Sequence, residues 1–106
     1  MREVEFHRYL SGDNALRVKF EIEHGQVTKF MVQLECTFGD GDLTPVVRYD
    51  TAHGFAHCDR MHPHKETTKT EVASRNYNEA LNIAIDDLAN NWAEYRRRYE
   101  KWLREK

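Results

Sequence analysis

The sequence predicts a two-layer α+β domain, in which an antiparallel β-meander of four to five strands is packed on one face by a long C-terminal helix. Two observations predict this fold. Apolar residues alternate with polar ones from residue 3 to about 60, and from residue 77 onward they recur every three or four residues. The chain has 106 residues, which suits one domain with a core of its own. We divide residues 1–106 into strands at about 3–60, a connector at 61–75 and a helix at about 77–104.

Four strands can be placed from the alternation. The first covers about residues 3–10 and the fourth about 43–50. Two longer strands lie between them, with apolar residues at Leu16, Val18, Phe20 and Ile22 and at Phe30, Val32, Leu34, Cys36 and Phe38. A three-residue loop, His24-Gly25-Gln26, would pair Phe20 with Phe30 on one face. Turn signals separate the other strands, at residues 11–14 and at Gly39-Asp40-Gly41-Asp42.

The C-terminal segment predicts one continuous helix. Its apolar stripe consists of Tyr77, Leu81, Ile85, Leu88, Trp92, Tyr95, Tyr99 and Trp102. Asn76 is the predicted N-cap, with Glu79 three residues later as in a capping box. Acidic residues precede basic ones along the helix, which suits the helix dipole. A helix of this length spans roughly 42 Å, so it can lie across a sheet of long strands.

The composition limits the function classes. No run approaches the ~20 apolar residues of a membrane span, and a formal charge of −2 gives no general attraction to DNA or to a membrane surface. The two cysteines, Cys36 and Cys58, are too few for a disulfide framework. We expect a soluble, cytoplasmic protein with no cofactor, zinc being the alternative.

Residues 46–59 predict a polar cluster on one face of a hairpin. If Thr51–Gly54 form the loop, Arg48 lies opposite His57. One face is then apolar and meets the helix. The other face faces solvent and carries Arg48, Asp50, Phe55, His57 and Asp59.

This cluster suggests chemistry on RNA. His57 and His53 are candidate general acid and base groups, Arg48 is a candidate anion-binding group, and Asp50 would orient a histidine. The combination suits cleavage through the 2′-hydroxyl. The alternative is that a cross-strand pair of His57 and Arg48 has no catalytic role, as on many half-exposed sheets. The sequence leaves open whether the protein is an enzyme.

Metal binding is a second hypothesis for the histidines, four of which stand between residues 53 and 64. In His62-Pro63-His64 a proline stiffens a loop that carries two histidines. These two could join His57 or Asp59 around a zinc ion. No spacing of a known four-ligand zinc module is present.

A third candidate surface is the end of the helix. Aromatic residues there stand beside a basic run, which suits an RNA, a protein partner or a second copy in a homodimer. Together with residues near the hairpin, the candidate binding residues are Tyr49, Phe55, Lys65, Arg97, Arg98, Lys101 and Trp102.

The segment Val46-Val47-Arg48-Tyr49-Asp50-Thr51-Ala52-His53-Gly54-Phe55-Ala56-His57, with His62-Pro63 and Tyr77-Asn78-Glu79-Ala80-Leu81, resembles a family of small prokaryotic proteins described only as a domain of unknown function. That resemblance spans nearly the whole chain and implies no activity. Arg48-Tyr49-Asp50 followed by Ala52-His53 is more distantly similar to TumE-type toxin components of toxin–antitoxin pairs. The second resemblance implies an antitoxin-like protein partner, with Asp50, His53 and the downstream histidines as site residues. Thr51 departs from the asparagine usual there.

Overall fold

The computed structural model describes residues 1–39 and 41–105, and it has one antiparallel sheet and one helix. The strands are β1 (Arg2–Ser11), β2 (Asn14–Glu23), β3 (Gln26–Thr37), β4 (Leu43–Asp50), β5 (His57–Arg60) and β6 (Thr68–Glu71), followed by α1 (Tyr77–Arg104). Each strand pairs with the next, so their order in the sheet is their order in the chain. The α+β fold, the antiparallel sheet and the long C-terminal helix are confirmed. Asp40 of the predicted 39–42 turn lies outside the described residues, as does Lys106.

The predicted number of strands is wrong, because the sheet has six. The sixth strand, β6, lies within residues 61–75, which the sequence predicts to be a connector. Its residues Thr-Lys-Thr-Glu are all exposed, so they show no apolar alternation. β6 forms by pairing its backbone with β5, from Arg60 opposite Thr68 to His57 opposite Glu71. As a result β5 is an inner strand of the sheet rather than its edge.

The β2–β3 hairpin has the predicted register but a different turn. Phe20 lies opposite Phe30, as predicted, yet the connection is a two-residue turn, His24-Gly25, between paired Glu23 and Gln26. Both turn residues have positive φ, 52° and 75°, which matches the type I′ turn of tight hairpins. A register shift beside Glu21 adds one residue to β3. This bulge offsets the shorter turn and restores the predicted pairing.

α1 packs against β3 and β4. Its buried residues are Ala80, Leu81, Ala84, Leu88 and Tyr99, and they meet the apolar side of the sheet. Asn76 caps the helix as predicted, since its side chain accepts a hydrogen bond from the backbone N–H of Glu79 at 2.8 Å. Arg96 fixes the other end of the helix by donating to the carbonyl of Thr37 at 2.8 Å. We call the opposite side of the sheet the open face.

The described part of the chain contains no helix that is both long and apolar enough to cross a membrane.

Both cysteines are buried on the helix side of the sheet and are free thiols. Burial raises the pKa of Cys36 to about 11, and burial also raises the pKa of Cys58. A raised pKa keeps a thiol protonated, and the thiolate is the reactive form. We therefore expect neither thiol to react with Ellman's reagent at mildly alkaline pH in the folded protein, and both to react after unfolding in urea. Rapid reaction of either thiol before unfolding would contradict the packing described above.

Candidate functional site

The β4–β5 hairpin brings four polar side chains together on the open face. Asp50 lies opposite His57, and Arg48 lies opposite Asp59. The predicted pairing of Arg48 with His57 is therefore wrong by two residues, because the loop covers residues 51–56 rather than Thr51–Gly54. A shift of two residues leaves every side chain on its predicted face, so the polar residues still share one side.

The longer loop has specific causes. The hydroxyl of Thr51 accepts a hydrogen bond from the backbone N–H of Phe30 at 3.1 Å, which holds the start of the loop on β3. Gly54 has a φ of 84°, a conformation that glycine adopts without strain. Ala56 gives its carbonyl to the N–H of Val72 rather than to β4. The loop therefore closes only at His57.

His57 is buried, with a residual exposure of 1%. The prediction that its ring faces solvent beside Arg48 is therefore wrong. Two features of the fold explain the burial: β6 covers the outer edge of β5, and loop 51–56 folds back over the ring. The rings of His53 and Phe55 both lie 5.6 Å from that of His57, centroid to centroid.

Both nitrogens of the His57 ring face acceptors. Nδ1 lies 3.3 Å from the carbonyl oxygen of Phe55. Nε2 lies 2.8 Å from Oδ1 of Asp50 and 3.7 Å from Oδ2 of Asp59. Because a carbonyl oxygen only accepts, Nδ1 must donate to it. The ring is thereby fixed with Nε2 turned toward the two carboxylates.

The two carboxylates differ in the hydrogen bonds that they accept. Asp50 Oδ1 also accepts a hydrogen bond from the N–H of Ala52 at 3.1 Å. Asp59 Oδ1 is buried without a hydrogen bond, although the ammonium of Lys69 lies 3.5 Å away in an ion pair. Buried polar atoms in proteins are nearly always hydrogen-bonded. Asp59 therefore has a buried oxygen with capacity for a further partner.

Asp50, His57 and Asp59 have the geometry of a metal-binding set. Each offers one ligand atom, and these atoms all lie within 4.8 Å of one another. The structure thus brings together two of the four predicted zinc ligands, His57 and Asp59, and adds Asp50. The other two, His62 and His64, lie beside the end of α1: the ring of His62 stacks on Trp102 at 4.3 Å.

The remaining catalytic candidates surround this set. Arg48 is half-buried, and its Nε donates to Oε1 of Gln33 at 2.7 Å. Gln33 in turn donates to Glu35 at 2.6 Å, which makes a polar row across β4 and β3. His53 is exposed and stacked on His57. The structure therefore brings Asp50, His53 and His57 together, and the catalytic roles of these residues stay predictions.

Tyr49, a predicted binding residue, faces the helix, as the alternation along β4 predicts. Its hydroxyl donates to Oδ2 of Asp87 at 2.6 Å, and Tyr95 donates to the same oxygen at 2.7 Å. Burial and the hydrogen bond to Asp87 raise the pKa of Tyr49, and the same two causes raise the pKa of Tyr95 to about 12. Tyr49 therefore joins sheet to helix.

The basic end of α1 lies on the helix side, away from the His57 cluster. Arg97, Arg98 and Lys101 line a groove of about 690 Å³ together with Arg60 of β5. Trp102 is half-buried: His62 stacks against it, and the guanidinium of Arg98 lies 5.3 Å from its ring centroid. The predicted catalytic residues and most of the predicted binding residues thus occupy opposite faces of the sheet. Phe55, which packs on His57, is the exception, and Lys65 lies in the exposed segment after His62 and His64.

Sequence reasoning gave Asp50 only an orienting role and missed Lys69, Gln33 and Asp87. Alternation predicts which face of the sheet each residue of β4 and β5 lies on, but it does not predict the register between β4 and β5. Only that register places Asp50 and Asp59 on either side of His57. Lys69 became part of the site because β6 pairs with β5, which no apolar pattern indicates.

Comparisons with known proteins give a family but no activity. No curated protein and no solved structure matches the chain significantly. The family model described as "Domain of unknown function (DUF7718)" matches residues 1–105. The chain therefore belongs to the DUF7718 family.

Proposed function

We propose that Asp50, His57 and Asp59 bind one divalent metal ion, which forms the functional centre of this protein. One observation carries the proposal: Nε2 of a buried histidine faces two carboxylates while Nδ1 donates to the carbonyl of Phe55. Metal-binding histidines characteristically donate their second ring N–H to a carbonyl or carboxylate, which fixes the ligating nitrogen. Oδ1 of Asp59, which is buried without a hydrogen bond, supplies additional capacity for the ion or for its bound water.

The ligand set favours a transition metal over Ca²⁺ or Mg²⁺. One imidazole and two carboxylates suit Zn²⁺, Mn²⁺ or Fe²⁺, whereas Ca²⁺ and Mg²⁺ prefer oxygen alone. Three protein ligands leave at least one coordination position for water or substrate. A metal ion in such a site lowers the pKa of bound water and polarises a phosphoryl oxygen.

RNA is the substrate class that we propose for this centre, in a toxin-like role. Arg48 and Lys69 flank the cluster and could bind a phosphate. The exposed imidazole of His53 is available as a general acid or base beside it. The distant resemblance to TumE-type toxins agrees with this proposal and adds an antitoxin-like protein as a partner.

Metal binding is tested by calorimetric titration of the chelator-treated protein with Zn²⁺ and Mn²⁺. We expect one site per chain and a rise in the unfolding temperature, since an ion that binds only the folded state stabilises it. Asp59→Asn should lower the affinity by roughly 100-fold, because a neutral amide is a poor ligand. Glu66→Gln, which removes an exposed carboxylate elsewhere, should leave it unchanged.

A second variant separates the two metal hypotheses. His64→Gln removes a histidine of the predicted zinc set that lies outside the Asp50 cluster. Loss of binding in His64→Gln but not in Asp59→Asn would overturn the site proposed here. Metal-dependent cleavage of a single-stranded RNA, lost in Asp59→Asn, would support the hydrolytic function. Tight metal binding without any cleavage would leave a metal-stabilised fold.

A non-enzymatic interaction module is the second candidate function. The observation that favours it is the groove beside α1, where four basic side chains face two carboxylates. Asp87 accepts hydrogen bonds from Tyr49 and Tyr95, and four basic groups against two acidic ones leave the groove with an excess of positive charge. An RNA or acidic protein that binds in this groove would lose affinity in Arg98→Ala and keep it in Asp59→Asn. That pattern would identify a binding module.

A further inference from the structure

β1 forms one edge of the sheet, and both of its faces are exposed. It pairs with β2 on one side only. All of its residues except Val4 and Leu10 are exposed. Ten residues is a long edge strand, and its unpaired backbone N–H and C=O groups can pair with another strand. The opposite edge, β6, has only four residues.

The helix side of β1 continues the apolar surface of the sheet beyond the helix. Phe6 lies opposite Val18 and Val4 lies opposite Phe20, so these side chains share the face that α1 covers farther along. α1 makes its main contacts with β3 and β4, in the middle of the sheet. Phe6 is consequently 42% exposed. The half-buried side chains of Val4 and Leu10 lie on the same side of β1 and extend this apolar surface along the strand.

We infer that two copies of the chain pair through β1, antiparallel and about a two-fold axis at Phe6, to form a continuous sheet. An isologous contact of this kind is the commonest form of homodimer. In this register Phe6 packs on Phe6 of the second copy, and Glu5 lies opposite His7 of the second copy. Glu3 lies opposite Tyr9. The pairing therefore spans the regular part of β1, because the strand becomes irregular only after Tyr9.

Charge favours this register over its neighbours. Opposed residues in an antiparallel pair share a face, so the allowed registers differ by two residues. Centring the pair on Glu5 would oppose Glu5 to itself and Arg2 to Arg8, and like charges opposed across strands are destabilising. Centring it on His7 would oppose His7 to itself and place Phe6 against Arg8. The Phe6-centred register places Val4 against Arg8, but it opposes no two side chains of the same charge.

The charges on the open face of β1 are compatible with this contact. Glu5 and Glu3 already pair with Arg17 and Lys19 of β2, at 3.2 and 3.5 Å. In the dimer Glu5 lies between Arg17 of its own chain and His7 of the second copy. A single strand pair buries less area than a standard stable interface. We therefore expect a dimer that forms and dissociates with concentration.

Engineered cysteines test the register directly. Phe6→Cys places two thiols opposite each other across the axis, within the Cα separation that a disulfide needs. Tyr9→Cys is the matched control, since its two thiols would lie about 20 Å apart along the strands. The native cysteines are buried and should not interfere. We expect mild oxidation to cross-link most of the Phe6→Cys protein and little of Tyr9→Cys.

Sedimentation provides the second measurement, and its result for the unmodified chain does not depend on how well a variant folds. A concentration-dependent monomer–dimer equilibrium that Phe6→Asp shifts at least tenfold toward monomer would support the dimer. A chain that remains monomeric throughout the concentration series would overturn it. Equal cross-linking of Phe6→Cys and Tyr9→Cys would also overturn it, because random collision does not discriminate between the two positions.

Discussion

Replacing His57 with alanine is expected to lower the free energy of unfolding of the metal-free protein by about 3 kcal/mol, measured by urea denaturation. The imidazole is buried and lies between Asp50 and Asp59. Nδ1 lies 3.3 Å from the carbonyl oxygen of Phe55, and Nε2 lies 2.8 Å from Asp50 and 3.7 Å from Asp59. Removing it leaves two largely buried carboxylates near each other without the imidazole ring between them.

A double-mutant cycle with Asp59→Asn makes this prediction sharper. In the unmodified protein, Asp59→Asn removes a charge that faces His57 and Lys69, so we expect it to destabilise the fold. In the His57→Ala background the same change relieves carboxylate repulsion, so we expect it to stabilise the fold. The sign of the Asp59→Asn effect should therefore reverse. Additive effects of the two changes would show that the ring and the carboxylate do not interact.

His53→Ala is the matched control for this cycle. His53 also contacts the His57 ring, but its side chain is exposed. We expect its removal to change the stability by less than about 1 kcal/mol. A loss as large as that of His57→Ala would mean that ring stacking, rather than charge, stabilises the cluster.

Leu88→Ala is expected to destabilise the protein by about 3 kcal/mol, because it leaves a cavity at the contact between helix and sheet. Leu88 has no exposed surface and lies in the middle of α1. The sheet beneath it is formed by paired strands, so it cannot move in to fill the space.

Ile83→Ala on the same helix is the control, since Ile83 is 37% exposed and lies outside the buried stripe. We expect it to cost less than about 1 kcal/mol. Thermal unfolding followed by circular dichroism would check both variants. Equal effects at the two positions would contradict the packing of α1 described above.

The parts of the fold with a regular apolar period could be predicted from the sequence. The stripe from Tyr77 to Trp102 predicts α1 with its observed bounds, and Asn76 predicts the N-cap because asparagine is a preferred residue at that position. The β2–β3 register followed from Phe20 and Phe30, although the turn was shorter than predicted. The pairing of the apolar faces determines this register, and the extra residue of the bulge in β3 compensates for the shorter turn.

The candidate site was harder to predict because it depends on tertiary pairing. The side on which each residue of β4 and β5 lies followed from alternation, so the grouping of Asp50, His57 and Asp59 on one face could be predicted. The burial of His57 could not, since it requires β6, a strand without apolar residues. The separation of the basic groove from the cluster follows from Arg60 and His57 pointing to opposite faces of β5.

The order of the strands has a consequence for synthesis on the ribosome. Every strand pairs with its neighbour in the chain, so each hairpin can form as soon as its second strand emerges, with short loops to close. The apolar side of the sheet, however, is covered only by α1, which is translated after all six strands. The apolar face of the sheet in a nascent chain is therefore exposed to solvent until α1 has been translated. That interval is when chaperone binding or aggregation would compete with folding.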